Sequence, residues 1–165
     1  MLLETQIEDL IKKALQEDAA WHDVTTLALI PEGKKAIGEI WAKEEHILAG
    51  MDVAKLIFQY CDPEISFLSC RLDGERIIEK ECLVKVYGNA RAILIAERTV
   101  LNFVQRLSGI ATLTARYVQR AAPCGVQILD TRKTTAGWRE LEKYAVTVGG
   151  GKNHRFSLRD AVLIK

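Results

Sequence analysis

Apolar positions recur at Ile7, Leu10, Ile11, Ala14 and Leu15, the spacing of one face of a helix. Thr5 followed by Glu8 forms a capping box, so a helix is expected over Thr5–Asp18. Residues 19–33 carry no period and read as irregular. The period changes in KAIGEIWA (Lys35–Ala42), which alternates as a half-buried strand does. It returns to helical in Met51–Tyr60, with Val53, Leu56, Ile57 and Tyr60 on one face and Pro63 beyond its end. Ile65–Leu72 and Glu75–Ile78 read as short strands around a hairpin turn at Asp73-Gly74. Cys82–Tyr87 is a further strand closed by Gly88-Asn89, and Ala90 to Val118 is helical with a break expected at Ser108-Gly109. Gln127–Asp130 predicts a short buried strand, Trp138–Val148 a helix ended by Gly149–Gly151, and Ala161–Lys165 a strand.

The order of elements changes character along the chain. The first part mixes strands and helices as an α+β unit does, and the last part runs strand–helix–strand, the start of a βα repeat. We place the boundary near Gly109, giving units at 1–109 and 110–165. A length of 165 residues allows one ordinary domain or two small ones. No window holds eighteen uncharged apolar residues, so no transmembrane helix is expected, and the N-terminus is unlike a signal peptide. Cys61, Cys70, Cys82 and Cys124 lie far apart without a C-x-x-C pair and read as reduced thiols of a cytoplasmic protein. The final apolar run, AVLIK, has no cap or polar tail and reads as a chain cut inside a strand.

Charge adds what periodicity does not. The whole chain is nearly balanced, with 23 basic and 22 acidic residues, yet the stretch after Asp130 holds Arg132, Lys133, Arg139, Lys143, Lys152, Arg155, Arg159 and Lys165 against Glu140, Glu142 and Asp160. Positive charge gathered at one end suits a polyanionic small molecule. TRKTT (131–135) follows the strand QILD directly, the place where α/β folds put their sites. Its two cations and three hydroxyls can hold carboxylate or phosphate oxygens, although a solvated basic loop has the same composition. GGGKNHR (149–155) sets three glycines before His154 and Arg155. The glycines would let backbone N–H groups approach a ligand, or simply cap a helix beside a surface histidine. Arg106 sits on an apolar helix, where it must snorkel or meet an anion, and Lys165 would face the same surface as TRKTT. Lys43 and His46 lie between a strand and a helix, and His22-Asp23 lacks a nucleophile pattern. No P-loop, G-x-G-x-x-G, H-E-x-x-H or G-x-S-x-G occurs, and the basic residues are not interleaved with aromatics for nucleic acid.

Taken together, ERTVLNFVQRLSGIAT, LDTRKTTAGWRELEKYAVTVGGGKNHR and SLRDAVLIK resemble quinolinate phosphoribosyltransferase, as do EDAAWHDVTT and AKEEHILAGMDVAKLIF nearer the N-terminus. The resemblance implies an α+β N-terminal sandwich domain followed by the start of an α/β barrel, a type II phosphoribosyltransferase fold with the barrel truncated. It implies transfer of phosphoribosyl from phosphoribosyl pyrophosphate to quinolinate with decarboxylation, giving nicotinate mononucleotide, pyrophosphate and CO₂ in NAD biosynthesis. Mg²⁺ would be bound with the phosphoribosyl donor, no prosthetic group is implied, and the protein would form a homodimer. By the family's motif, Arg106, Arg132, His154 and Arg155 would hold the quinolinate carboxylates. Lys133 and Lys165 would approach the phosphoribosyl donor or the substrate edge as the catalytic cations, and Lys43 would reach into the partner's site.

The chain departs from the family pattern at several points. Ala136 stands where the family usually has Pro, Trp138 where it has Leu, His46 where Gly is common, and Ala20-Trp21-His22-Asp23 in place of Gly-x-Gly-Asp. None of these removes a carried-over cation. The family continues after L-I-K with Asp-Asn-His and a long further stretch, so a barrel ended here would expose strand edges and apolar faces. Two other readings follow: a non-catalytic remnant that binds anions, and a related phosphoribosyltransferase-like protein with another ring substrate.

Overall fold

The computed structural model describes residues 4–164, with side chains from Ile7 onward. Helix α1 spans Glu4–Glu17 and buries Ile7, Ile11 and Leu15, the stripe its periodicity indicates. The capping box expected at Thr5 involves a side chain outside the described residues. The stretch read as irregular contains a short helix, α2 (Val24–Leu29). Asp23 caps it, accepting from the N–H groups of Thr25 (3.0 Å) and Thr26 (3.1 Å). Asp23 is thereby a structural cap.

Strand β1 (Lys35–Trp41) pairs antiparallel with β5 (Cys82–Asn89), which also pairs antiparallel with β3 (Ser66–Ser69), giving the order β1-β5-β3. Register sets Ile40 opposite Val84 and Gly38 opposite Val86, so β5 buries Val84 and Val86 while Lys85 and Tyr87 face out. The short β2 (His46–Ile47) and β4 (Arg76–Ile77) form a separate two-stranded ribbon.

The hairpin expected around Asp73-Gly74 is therefore absent: β3 joins β5 and β4 joins β2. The reason lies at the turn itself. Asp73 turns its carboxylate to the N–H groups of Gly50 (2.8 Å) and Met51 (3.1 Å), at the start of helix α3 (Met51–Cys61). Gly74 N–H donates to Leu48 O at 2.8 Å. The turn is thus spent on a distant helix start, and the chain crosses from one sheet to the other.

Helix α4 runs unbroken over Ala90–Ala121, 32 residues, so the break expected at Ser108-Gly109 is not made. Asn89 caps it, accepting from Arg91 N–H at 2.9 Å. Ser108 is buried on its inner face, where its hydroxyl accepts from Ala49 N–H (3.0 Å) and donates to Ala49 O (3.2 Å). A residue that would signal a break instead ties the helix to the chain leading into α3. Ala96, Val100, Phe103, Val104, Leu107 and Ala111 form the central stripe of the core. Against it pack Ile57 and Phe58 of α3, Val84 and Val86 of β5, and Leu141 and Ala145 of α5 (Arg139–Val148). Cys70 and Cys82, distant in sequence, bring their sulfurs to 4.0 Å, and all four cysteines are free thiols.

The strands expected at 127–130 and 161–165 are not built as such. Leu129 makes one parallel bridge with Lys152, and residues 161–164 form no strand, with Val162 and Ile164 about nine-tenths exposed. A strand exists only through its partners, and among the described residues none lies beside 161–164. Among the described residues no helix is long and apolar enough to cross a membrane.

Candidate functional site

The Leu129–Lys152 bridge determines where the chemistry gathers. Lys152 N–H donates to Ile128 O (2.9 Å) and Asp130 N–H to Lys152 O (3.0 Å). Because the pairing is parallel, both segments leave it at the same end. TRKTT and the Asn153-His154-Arg155 run therefore emerge side by side, at the carboxyl ends of two neighbouring extended segments.

Beneath the two loops lies a buried ion pair. Lys143 on α5 is fully buried and Asp130 is 4% exposed, with Nζ and Oδ1 2.5 Å apart. Nζ also donates to His154 O at 2.9 Å and lies 4.8 Å from the Phe156 ring centroid. The same Asp130 Oδ1 accepts His154 N–H at 2.8 Å. The Asn153 amide, oriented by its neighbours, donates to Asp130 Oδ2 (2.6 Å) and Lys143 O (3.1 Å). Sequence reasoning missed this pair. Lysine is rarely buried, and Lys143 sits two residues from both Leu141 and Ala145, a spacing that no helix-face period selects.

Arg106 belongs to the same end. Its guanidinium donates to Thr135 Oγ1 and to Glu142 Oε1, each at 2.5 Å, and lies 5.3 Å from the centroid of the Trp138 ring. That ring stacks on Phe103 at 4.6 Å, so the unusual Trp138 supports the arginine from the core side. Glu142 also accepts Thr135 N–H. Burial alone would raise the Glu142 carboxyl. The hydrogen bonds from Arg106 and Thr135, with the arginine charge, together hold it below its ordinary value. Arg139 donates to Thr134 Oγ1 (3.2 Å) and Phe156 O (3.3 Å), joining one loop to the other.

Arg132 is half-buried, and its Nε is buried without a partner; Glu140 Oε2 is the other such side-chain atom among the described residues. A buried donor without a partner is unusual and marks this loop as a place where a polar group is unsatisfied. Lys133 is exposed, and its N–H donates to Thr131 Oγ1. His154 is exposed, with Nδ1 accepting Arg155 N–H at 2.8 Å, which leaves Nε2 facing away. Arg155 Nη1 is tied to Ala161 O at 2.8 Å. The structure thus places Arg132, Lys133, His154 and Arg155 in the loops at one end of α5, with the side chain of Arg106 reaching Thr135 and Glu142 there from α4. Lys43 lies exposed in the turn between β1 and β2, and Lys165 lies outside the described residues.

The triple glycine serves a different purpose from the one expected. All three N–H groups are spent on α5 carbonyls: Gly149 to Ala145 O, Gly150 to Thr147 O and Gly151 to Val146 O. They do not face a ligand. A Cβ at Gly149 would come within 2.3 Å of Ala111 O on α4, and Gly150 holds φ at +86°. Close helix approach and a left-handed turn account for the glycines.

Cations on βα loops at one end of an α/β unit form a surface chemically suited to small anions. The family comparisons make this specific. Residues 23–108 match the quinolinate phosphoribosyl transferase N-terminal domain, and residues 110–165 match the C-terminal domain of the same enzyme. The chain belongs to the quinolinate phosphoribosyltransferase family and has its type II phosphoribosyltransferase fold in part. It is 45% identical over 160 residues to the chloroplastic nicotinate-nucleotide pyrophosphorylase (carboxylating) of Arabidopsis thaliana, covering 96% of this chain and 45% of that protein. A probable nicotinate-nucleotide pyrophosphorylase (carboxylating) of Methanothermobacter thermautotrophicus is 40% identical, with coverage of 95% and 56%. Among solved structures, NadC from Streptococcus pyogenes superposes with a TM-score of 0.92 at 42% identity, covering 98% of this chain and 58% of the other. The pyrophosphorylase from Francisella tularensis gives 0.93 at 37%, with coverage of 99% and 58%. The chain spans about half the length of these relatives.

Proposed function

We propose that this chain carries the quinolinate-binding half of a phosphoribosyltransferase that makes nicotinate mononucleotide, pyrophosphate and CO₂. The observation that supports the reading is the parallel Leu129–Lys152 bridge, from which the 131–135 loop and the 153–155 run leave at the same end. Arg106, Arg132, His154 and Arg155 hold the two carboxylates in this reading, and Lys133 and Lys165 act at the phosphoribosyl donor. The work asked of the protein is to orient two anions and to stabilise charge as pyrophosphate leaves. The ring nitrogen attacks the anomeric carbon. The quaternised ring then withdraws electrons, CO₂ departs from the adjacent carbon, and a proton takes its place.

Among the described residues no three His, Cys, Asp or Glu side chains converge as metal ligands. In our reading Mg²⁺ travels with the phosphoribosyl pyrophosphate, held chiefly by its phosphates and by water. The division into units at 1–109 and 110–165 is supported by the two family matches meeting between 108 and 110, although α4 passes through it. A homodimer belongs to the same proposal, with Lys43, exposed between β1 and β2, reaching a neighbouring subunit's site. A cytoplasmic location belongs to the same proposal; the four free thiols fit a reducing compartment in general.

A second reading is a non-catalytic protein that binds anions, quinolinate among them, without turning it over. Calorimetry with quinolinate, then release of CO₂ with phosphoribosyl pyrophosphate and Mg²⁺ added, separates the two. Arg132→Ala is expected to weaken quinolinate binding at least tenfold, since a charge-paired contact is lost (about 2–5 kcal/mol for a buried pair). Absence of binding by the unaltered chain, or equal binding by the variant, refutes the assignment.

A further inference from the structure

We propose that the buried Lys143–Asp130 pair positions the anion-binding loops, fixing the 153–155 run against the 131–135 loop; this rests on the reading above that those loops hold a dicarboxylate. Asp130 is the last residue before TRKTT, and its two oxygens receive three groups from the other side: Lys143 Nζ, His154 N–H and the Asn153 amide. Lys143 returns the connection by donating to His154 O. The backbone of His154 is thus gripped at both its N–H and its C=O, by the two members of one ion pair. Neither member is exposed enough to meet a ligand itself, at 0% for Lys143 and 4% for Asp130. They act through His154 and its neighbours.

Stability does not account for such a pair. A buried ion pair often contributes little against an apolar pair of similar size, because desolvating two charges offsets their attraction. What an apolar pair cannot supply is the directed set of bonds that fixes where His154 and Arg155 begin. Shifts of an ångström in groups that orient a ligand are costly to binding and catalysis.

The test separates positioning from stability. Lys143→Met leaves Asp130 buried and unpaired and is expected to lower the thermal midpoint. Lys143→Met with Asp130→Leu removes both charges and is expected to return the midpoint toward that of the unaltered chain. Quinolinate affinity by calorimetry and amide exchange at His154 are then measured on the full chain. We expect the double variant to bind at least tenfold more weakly and to exchange the His154 amide at least tenfold faster. A double variant with the original midpoint, affinity and exchange overturns the proposal. If the unaltered chain itself does not bind quinolinate, the functional reading fails and exchange alone decides: faster exchange supports positioning, and unchanged exchange overturns it. Should the double variant not fold, Asp130→Asn, of nearly the same size, is read by the same two measurements and the same criteria.

Discussion

Tyr144 on α5 donates its hydroxyl to Asp73 Oδ2 at 2.5 Å, across 71 positions of sequence. Asp73 already accepts the N–H groups of Gly50 and Met51 at the start of α3. One carboxylate therefore joins the helix beneath the anion-binding loops to the α+β part of the chain. Tyr144→Phe keeps the ring and removes this bond, and is expected to cost about 1–3 kcal/mol, the range for a hydrogen bond to a charged group. Burial raises the Tyr144 phenol above its ordinary value, and the Asp73 hydrogen bond and charge raise it further. The neutral phenol is the form the fold favours. Its contribution is fully present below the ordinary tyrosine pKa of about 10 and is lost as pH rises through the raised folded value. Urea unfolding of both proteins between neutral and strongly alkaline pH checks this. The difference between them should hold to about pH 10 and shrink above. A difference that does not vary with pH would contradict the account.

At Gly149 the expected effect is steric. A Cβ there would meet Ala111 O at 2.3 Å and Thr114 Cβ at 2.8 Å, so α5 and α4 could not keep their approach. Gly149→Ala should lose roughly 1–3 kcal/mol through overpacking, despite replacing glycine with a better helix former. A thermal midpoint at or above that of the unaltered chain would show that the two helix ends move apart freely.

Glu142 makes the TRKTT end of the site sensitive to acid. Its carboxylate accepts from Arg106, from Thr135 N–H and lies under the loop, and the group is held below its ordinary value. A lowered carboxyl contributes stability that is present above its unfolded pKa and lost as pH falls through the folded value. The window therefore opens below about pH 4–5. Trp138 lies under Arg106, so its fluorescence reports the loosening. The unaltered chain should show this change on acidification, and Glu142→Gln should show a smaller one with a lower starting stability. Identical acid profiles for the two proteins would remove Glu142 from this role.

How far the sequence was legible follows from how local each cause is. The α1, α3 and α5 helices and strand β5 each bury one face, β1 half-buries one, and their residues repeat at the matching period. The pairing of β3 and β4 could not be read, because it turns on Asp73 serving Gly50, Met51 and Tyr144, none of them near it in sequence. The cations of the candidate site other than Arg106 and Lys43 are legible as a charge cluster after Asp130. The Asp130–Lys143 pair beneath them is not, since buried lysine runs against the tendency that makes such patterns readable. The glycines at 149–151 suggest a ligand-facing role by composition, but their hydrogen bonds and packing place them at a helix junction.

Ser108 and Gly109 offer the sharpest contrast, because adjacent substitutions should move stability in opposite directions. As a helix-breaking pair, both positions would prefer to leave the helix, and neither replacement by alanine would disturb anything buried. In the continuous α4, Ser108 is 5% exposed and exchanges two hydrogen bonds with Ala49, whose backbone would be left unsatisfied by Ser108→Ala. A loss of about 1–3 kcal/mol is expected. Gly109 lies on the exposed face of the same helix, and a Cβ there would meet nothing within 4 Å. Gly109→Ala should therefore gain roughly 0.5–1 kcal/mol, by lowering the entropy of the unfolded chain and raising helix propensity. Urea midpoints of the two variants, measured with equal slopes, decide the matter. Opposite shifts establish an unbroken helix tied to Ala49, whereas two stabilising shifts would restore the break that the Ser-Gly pair suggests.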